Sequence, residues 1–412
     1  HASECAASRA HEKKHPGADA SVSAEFGALS ALYRQCAKDY PEAAEPADEA
    51  LPYLVPTVGD KADYGARHAD AHGASSSDIA TWSRSHIASA RAVGLVPKSV
   101  TDAAARAEIA RSRVNDFFIQ RWTGGDPEPI AAAVFPLGAL LNHSCAPTCV
   151  ASYRLDVGTR TWVQEFRCCA ETVLAGDELT HAYVDASDWA NHRRLALLDR
   201  YGFVCDCARC PKDELGVPFD PPKAGPEAAR PDYGCESAWA ALATPNDKRA
   251  RVTIEIAAKL LRDAERAEEV SRERELAEKA AGLLRGLTEA LETSLAKTKN
   301  PYARAATSPR PTTPMRARAL AMAFNMAMFE SDFEAALRLG EELVACLTEG
   351  YGTRWHAKIA YELFKLASVA DDGLGDAAAA AAKFREALEI GEVTLGEDAW
   401  VCRRAREYLE GV

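Results

Sequence analysis

The spacing of apolar residues changes twice along the chain, and each change marks a different kind of structure. From Ser21 to about Arg113 the chain is rich in alanine. Apolar residues there recur at helical spacing, as in Phe26, Leu29, Leu32 and Tyr33, which predicts helix. A Gly-, Asp-, Ser- and His-rich stretch from Asp60 to Ser77 reads as a loop within it. From Val114 onward, Phe117, Ile119, Val134, Phe135, Val150, Tyr153, Trp162, Val163, Phe166 and Val173 lie in short segments cut by Gly, Pro and Asp, which predicts short strands and turns. Gly176-Asp177 reads as a turn leading into a strand over Glu178–Val184, and Trp189 to Tyr201 as a basic helix. A proline-rich linker follows from Pro211 to Pro231. After about Ser237 the pattern is helical throughout, apart from a break marked by prolines between Asn300 and Pro314.

One internal repeat stands in the helical half. Phe333-Glu-Ala-Ala-Leu-Arg-Leu-Gly-Glu341 resembles Phe384-Arg-Glu-Ala-Leu-Glu-Ile-Gly-Glu392, at an offset of 51 residues. The offset exceeds the tetratricopeptide period of about 34, so paired helices with inserted loops are expected. Such pairs stack into an array with a concave, peptide-gripping face; the plainer expectation is a helical bundle.

A chain of 412 residues, 47% hydrophobic and 27% charged, has material for two or three globular domains. A net charge of -12 argues against bulk electrostatic binding of nucleic acid. The longest apolar run, Pro129 to Leu141, is too short to span a bilayer. Twelve cysteines in a chain this long suit a reducing compartment, cytoplasmic or nuclear, better than a secreted disulfide scaffold. No membrane or direct nucleic-acid partner is expected, and a monomer is.

The strongest chemistry lies in Cys205-x-Cys207-x-x-Cys210. Three thiols this close cannot all meet disulfide geometry without strain, but they can converge on one zinc ion, which takes four thiolate or imidazole ligands tetrahedrally. Cys145, Cys149, Cys168, Cys169, Cys235 and His143 are candidates for the fourth position. A four-cysteine site leaves no place for a catalytic water, so a zinc hydrolase is disfavoured.

Upstream of this cluster stand Asn142-His143-Ser144-Cys145-Ala146-Pro147 and Gly176-Asp177-Glu178-Leu179, with Tyr183-Val184-Asp185 following. In this order, and with Asn115-Asp116-Phe117 before them and Arg193, Leu198, Tyr201 and Phe203 leading into the cysteines, the motifs resemble the SET core and post-SET segment of the SET/MYND lysine methyltransferases. The resemblance implies an α+β protein: a β-rich SET core with a helical insert and a zinc-bound post-SET segment, and an all-α tetratricopeptide-like C-terminal domain. Tyr351-Gly352 and Leu395-Gly396-Glu397-Asp398 in the helical half are also similar to the family. The implied boundaries are a MYND zinc-finger remnant over 1–16, the insert over 17–112, the SET core over 113–189, the post-SET segment over 190–212, a linker over 213–236 and the helical domain over 237–412.

It further implies S-adenosylmethionine-dependent methylation of a lysine on a protein or peptide substrate, histone or non-histone, with Tyr183 as the catalytic phenol. Asn142 and His143 would hold the adenosine part of the cofactor, Tyr201 and Phe203 would cover the adenine, and Asn115 would approach its methionine end. Zinc would be structural, held by Cys145, Cys205, Cys207 and Cys210. His1-x3-Cys5 and His11-x3-His15 resemble the end of the family's MYND module. Because the chain opens on His1, the family's first, glycine-containing cofactor segment is expected upstream of it, and the chain from His1 alone is expected to be weaker or inactive. Thr148 stands where the family has Asn. The competing expectation is a non-catalytic scaffold whose helical array binds peptides.

Overall fold

The computed structural model describes residues 115–122, 127–156, 158–159, 161–188, 193–194, 196–197, 201, 203–207, 209–210, 248–297 and 313–411, with short pieces between 87 and 105. The MYND-like pairs at His1/Cys5 and His11/His15, most of the helical insert, the linker over 213–236 and nearly all of the Asn300–Pro314 break lie outside the described residues. The chain divides into two compact units, one of residues 1–122, 127–142 and 198–203, the other of 123–126, 143–197 and 204–412.

The first unit contains β1 (Asp116–Trp122) and β2 (Pro127–Val134), paired antiparallel from Asp116 opposite Val134 to Trp122 opposite Pro127. The aromatic and β-branched run Phe117-Phe118-Ile119 favours the pleated strand. Ile119, 1% exposed, anchors it, and the Phe117 ring meets Phe135 edge-on at 6.1 Å. The register slips between Ile119 and Gln120, where Ile130 is the extra residue beside Pro129. Proline has no N–H for the ladder, so a bulge at this point costs the least pairing.

In the second unit, β4 (Cys149–Asp156) and β5 (Thr161–Cys168) form a hairpin from Cys149 opposite Cys168 to Asp156 opposite Thr161. Its turn closes on the Asp156 carboxylate, which accepts from Gly158 N–H at 2.9 Å and Thr159 N–H at 3.1 Å. The two-residue strands β3 (Asn142–His143) and β6 (Thr180–His181) also pair. Among the described residues, strands therefore pair only two by two. The strand expected over Glu178–Val184 is confined to Thr180–His181. Glu178 and Leu179 are exposed, and beyond Tyr183 the chain turns back as Asp185 accepts from the Ser187 N–H and hydroxyl. The Gly176-Asp177 turn is present: Gly176 has φ 99°, and Asp177 N–H donates to Leu174 C=O at 3.0 Å.

Among the described residues seven helices follow: α1 (Lys248–Glu265), α2 (Val270–Lys297), α3 (Thr313–Phe329), α4 (Phe333–Tyr351), α5 (Ala357–Ser368), α6 (Ala377–Thr394) and α7 (Trp400–Gly411). Side chains of Asp332, His356 and Asp376 cap the starts of α4, α5 and α6 by accepting from backbone N–H groups. Each of α1–α5 packs on the next except across α4–α5 more lightly, and α5, α6 and α7 pack in turn. Leu261, Leu284, Leu320, Phe324, Leu343 and Leu366 fill the core between them.

The repeated glycine has the same use in both copies. A Cβ on Gly340 would fall 2.5 Å from the Leu366 side chain, and one on Gly391 would fall 2.7 Å from Cys402 Sγ, so both mark close helix crossings. The two phenylalanines differ. Phe333 starts α4, whereas Phe384 lies inside α6 and packs on Phe364 and Tyr408. Helix α6 also packs against β4 and β5, so hairpin and helices share one unit.

Candidate metal centre and active site

The sequence places four thiols at two distant points, and the fold brings them together. Cys145, Cys205, Cys207 and Cys210 all lie within 4.8 Å of one another, measured between sulfurs. Cys145 Sγ is 3.5 Å from Cys210 Sγ and 4.0 Å from Cys205 Sγ. Four sulfurs at about 2.3 Å from a tetrahedral zinc would be about 3.8 Å apart, so the separations fit such an ion. Cys145 is fully buried, Cys210 and Cys205 nearly so, and Cys207 half-buried. Of the other candidates for a fourth ligand, Cys149, Cys168 and Cys169 lie outside this cluster, as does His143, while Cys235 is outside the described residues.

The thiols perturb one another strongly. Hydrogen bonding with Cys205, then with Cys207 and Cys210, pushes Cys145 far above the usual thiol range. The bond from Cys145 pulls Cys205 far below it and brings Cys207 down to about 5. Protons crowded onto so few sulfurs are what a cation would displace.

Three arginines surround the cluster. Arg193 is wholly buried; its Nε donates to Cys145 Sγ at 3.1 Å, and its Nη2 to Cys210 Sγ at 3.4 Å and to Arg209 C=O at 3.0 Å. Burial opposes its charge, but the fields of Cys145 and Cys210 outweigh burial and hold it above the ordinary arginine value. A buried guanidinium on two sulfurs is the counter-charge that a tetrathiolate zinc, net dianionic, requires. Arg194 donates to the carbonyls of Cys205 and Cys210. Arg209, 4% exposed, donates to Cys145 C=O at 2.8 Å, Tyr351 C=O at 2.6 Å and Gly350 C=O at 2.6 Å. It joins the thiol cluster to the last carbonyls of α4, which have no partner inside the helix. Gly352, at φ 67°, completes that end: a Cβ there would fall 3.0 Å from the guanidinium. The sequence carried Arg193 only as a motif match and missed the parts of Arg194 and Arg209. The signal was present, since thiolates at C-x-C-x-x-C need nearby cations, and Arg209 lies inside that spacing.

His143 connects this cluster to Tyr183. Its Nε2 is 3.2 Å from Cys145 Sγ, and its Nδ1 accepts from Tyr183 N–H at 2.9 Å. An imidazole that accepts at Nδ1 carries its proton at Nε2 when neutral, so Nε2–H points to the sulfur. The rings of His143 and Tyr183 are 5.3 Å apart, and His181 lies between Tyr183, at 4.8 Å, and Phe166, at 5.2 Å. His181 is 6% exposed, and burial brings its pKa down to about 4. Below it, Thr148 and Thr180 bond reciprocally: Thr180 N–H donates to Thr148 Oγ1 at 2.9 Å, and Thr148 N–H to Thr180 Oγ1 at 3.3 Å. Tyr183 is half-buried. The structure thus gathers His143, Tyr183 and the four cysteines in one unit. Asn115, buried, Asn142, exposed, and Tyr201 and Phe203, half-buried, belong to the other.

Over part of its length the chain is similar in sequence to SET and MYND domain-containing proteins, among them named lysine methyltransferases. No protein-family model matches the chain. It is 36% identical over 81 residues to N-lysine methyltransferase SMYD2-A of Xenopus laevis, covering 20% of this chain and 17% of that protein. It is 35% identical over 115 residues to a SET and MYND domain-containing protein of Dictyostelium discoideum, covering 27% and 21% respectively. A match of 35% over 83 residues is to histone-lysine N-methyltransferase SMYD3 of Mus musculus, covering 20% and 18%. The chain therefore spans about a fifth of the length of the curated relatives it matches. Among the described residues, no helix is long and apolar enough to cross a membrane.

Proposed function

We propose that this protein transfers a methyl group from S-adenosylmethionine to the side-chain amine of a lysine on a protein or peptide substrate. The observation that supports this most is the fixing of Tyr183: its N–H is tied to His143 Nδ1 at 2.9 Å, and His143 in turn to Cys145 of the thiol cluster. Residues of three motifs far apart in sequence thus meet at the backbone of one tyrosine.

S-adenosylmethionine, when bound, supplies an electrophilic methyl on a sulfonium. The attacking amine must be neutral although a free lysine titrates near 10.4, and it must be aligned, a positioning effect worth about 7–11 kcal/mol. The Tyr183 phenol orients the amine through its hydroxyl without adding an anion that would keep the lysine protonated. The cofactor-contacting residues in this reading are Asn115, Asn142, His143, Tyr201 and Phe203. Both ring nitrogens of His143 are engaged within the protein, so its part in holding adenosine falls to its backbone. Cys145, Cys205, Cys207 and Cys210 hold a structural zinc. The array α1–α7 is a tetratricopeptide-like arm offering a surface to the substrate protein, a reading supported by the Phe333/Phe384 repeat and its two helix-crossing glycines.

The test is transfer of radiolabelled methyl to a protein extract by the full-length protein, with its S-adenosylmethionine binding measured in parallel. Tyr183→Phe lowers turnover about 100-fold or more and leaves cofactor affinity unchanged, the mark of a contact used in the transition state. Equal labelling by wild type and variant refutes the role of Tyr183. Absence of S-adenosylmethionine binding in the wild type replaces the enzyme with the peptide-binding scaffold.

A further inference from the structure

A second group of thiols stands apart from the four at the metal centre. Cys149 and Cys168 are direct partners at the open end of the β4–β5 hairpin, and Cys169 follows. Cys169 N–H donates to Thr148 C=O at 2.9 Å. In an antiparallel ladder a bond from the residue after one partner to the residue before the other makes the pair between them the non-hydrogen-bonded kind. Such pairs bring Cα atoms to about 4.5 Å with both side chains on one face, inside the range of about 4.4–6.8 Å that a disulfide spans. The two residues differ in access: Cys168 is exposed, while Cys149 is 3% exposed. Cys169 points elsewhere, its Sγ toward Pro147 C=O at 3.5 Å. The charge on Cys168 also reaches Cys149, which burial and that field together push above the ordinary thiol value.

We propose that Cys149 and Cys168 are a redox-active dithiol that closes to a cross-strand disulfide on reaction with a low-molecular-weight disulfide such as oxidised glutathione. The Cys168 thiolate, at the surface, attacks one sulfur of the oxidant, forms a mixed disulfide and releases one glutathione as thiolate, which takes up a proton. The Cys149 sulfur, having given up its proton, attacks Cys168 Sγ; the protein disulfide forms, the mixed disulfide breaks, and the second glutathione leaves. The protein loses two hydrogens and the oxidant gains them. The bond staples the hairpin root beside Thr148, which is paired with Thr180 just ahead of His181 and Tyr183. The proposal is independent of the methyltransferase reading, since it rests on strand register and exposure alone.

Zinc-loaded protein is incubated with oxidised glutathione under native conditions, remaining thiols are alkylated, and the peptides are mapped by mass spectrometry. The expected result is a crosslinked pair of peptides carrying Cys149 and Cys168, retained in Cys169→Ser and lost in Cys168→Ser, with zinc content unchanged. Persistent glutathione on Cys168 in the wild type overturns the proposal, as does a crosslink that needs Cys169 or one formed among Cys145, Cys205, Cys207 and Cys210 instead.

Discussion

Arg209→Met tests whether the thiol cluster and the helices are one cooperative structure. The guanidinium makes three charge-assisted bonds of 2.6–2.8 Å, one to the carbonyl of a metal-candidate cysteine and two to the end of α4. Bonds to charged groups contribute about 1.5–3 kcal/mol each, so their gross value is about 5–9 kcal/mol. Against this stands desolvation of a nearly buried cation beside Arg193, which holds its pKa below the ordinary arginine value, first by burial and then by that charge. Its Nε–H also has no acceptor among the described residues. Methionine fills the volume but leaves three carbonyls without their donor, at the low end of the usual cost of breaking a buried charged network. The expected net loss is about 3–4 kcal/mol. It is read as a lower urea midpoint at unchanged slope, in zinc-loaded protein followed by helix circular dichroism. Arg209→Lys recovers only part, because an ammonium cannot hold the planar fork that meets Cys145 and α4 together. A methionine variant within 1 kcal/mol of wild type, on the scale where single surface changes fall, refutes the coupling.

Purified protein should carry at least one zinc per chain, and Cys207→Ser should lower that content and destabilise the fold; undiminished zinc removes the cysteine assignment. Gly340→Ala places a methyl 2.5 Å from Leu366 and 3.1 Å from Phe324, so thermal unfolding should report a loss of about 1–3 kcal/mol, and no loss would mean that α4 and α5 separate freely. His181 is held neutral by burial, with a pKa of about 4 in the fold against about 6.5 unfolded. The unfolded chain therefore binds the extra proton between these values, and stability is full above pH 6.5 and falls as pH drops toward 4. His181→Phe should flatten that slope in denaturant titrations across pH 4–7, and an unchanged slope assigns the acid sensitivity elsewhere.

The candidate metal-ligating trio at Cys205, Cys207 and Cys210 was legible because ligand spacing within one short segment is a local property. Its fourth member was not fixed by spacing: six residues competed until the resemblance singled out Cys145, and the fold brings Cys145 to the cluster across a sequence gap that no periodicity spans. Helices were legible for the same local reason, down to the glycine shared by the two repeats, but the crossings that require Gly340 and Gly391 to be glycine are tertiary. The strand over Glu178–Val184 failed because alternation alone cannot register that the chain turns at Asp185. Least legible were Arg193, Arg194 and Arg209. In sequence they look like solvated charges, and only their burial against sulfurs and carbonyls reveals that they hold the knot together.

The state of the thiols bears on Tyr183 through the protons of one imidazole. His143 has two neighbours, Cys145 Sγ at Nε2 and Tyr183 N–H at Nδ1. A backbone N–H can only donate, so Nδ1 must keep its lone pair for that bond to exist. The neutral ring then carries its hydrogen on Nε2, which needs an acceptor on the sulfur side. A Cys145 thiolate, as it would be if Arg193 and a cation held with Cys205, Cys207 and Cys210 stabilised it, would be a strong acceptor; a thiol is a weak one and competes to donate its own hydrogen. If Cys145 donated, Nε2 would have to accept, the ring hydrogen would move to Nδ1, and Tyr183 would lose its backbone anchor. Ionisation of the buried cysteine and orientation of the tyrosine are therefore two ends of one hydrogen-bond chain. Metal retention and the position of Tyr183 should respond together to changes at His143, while substitutions at the far ends of α6 or α7 leave both unmoved.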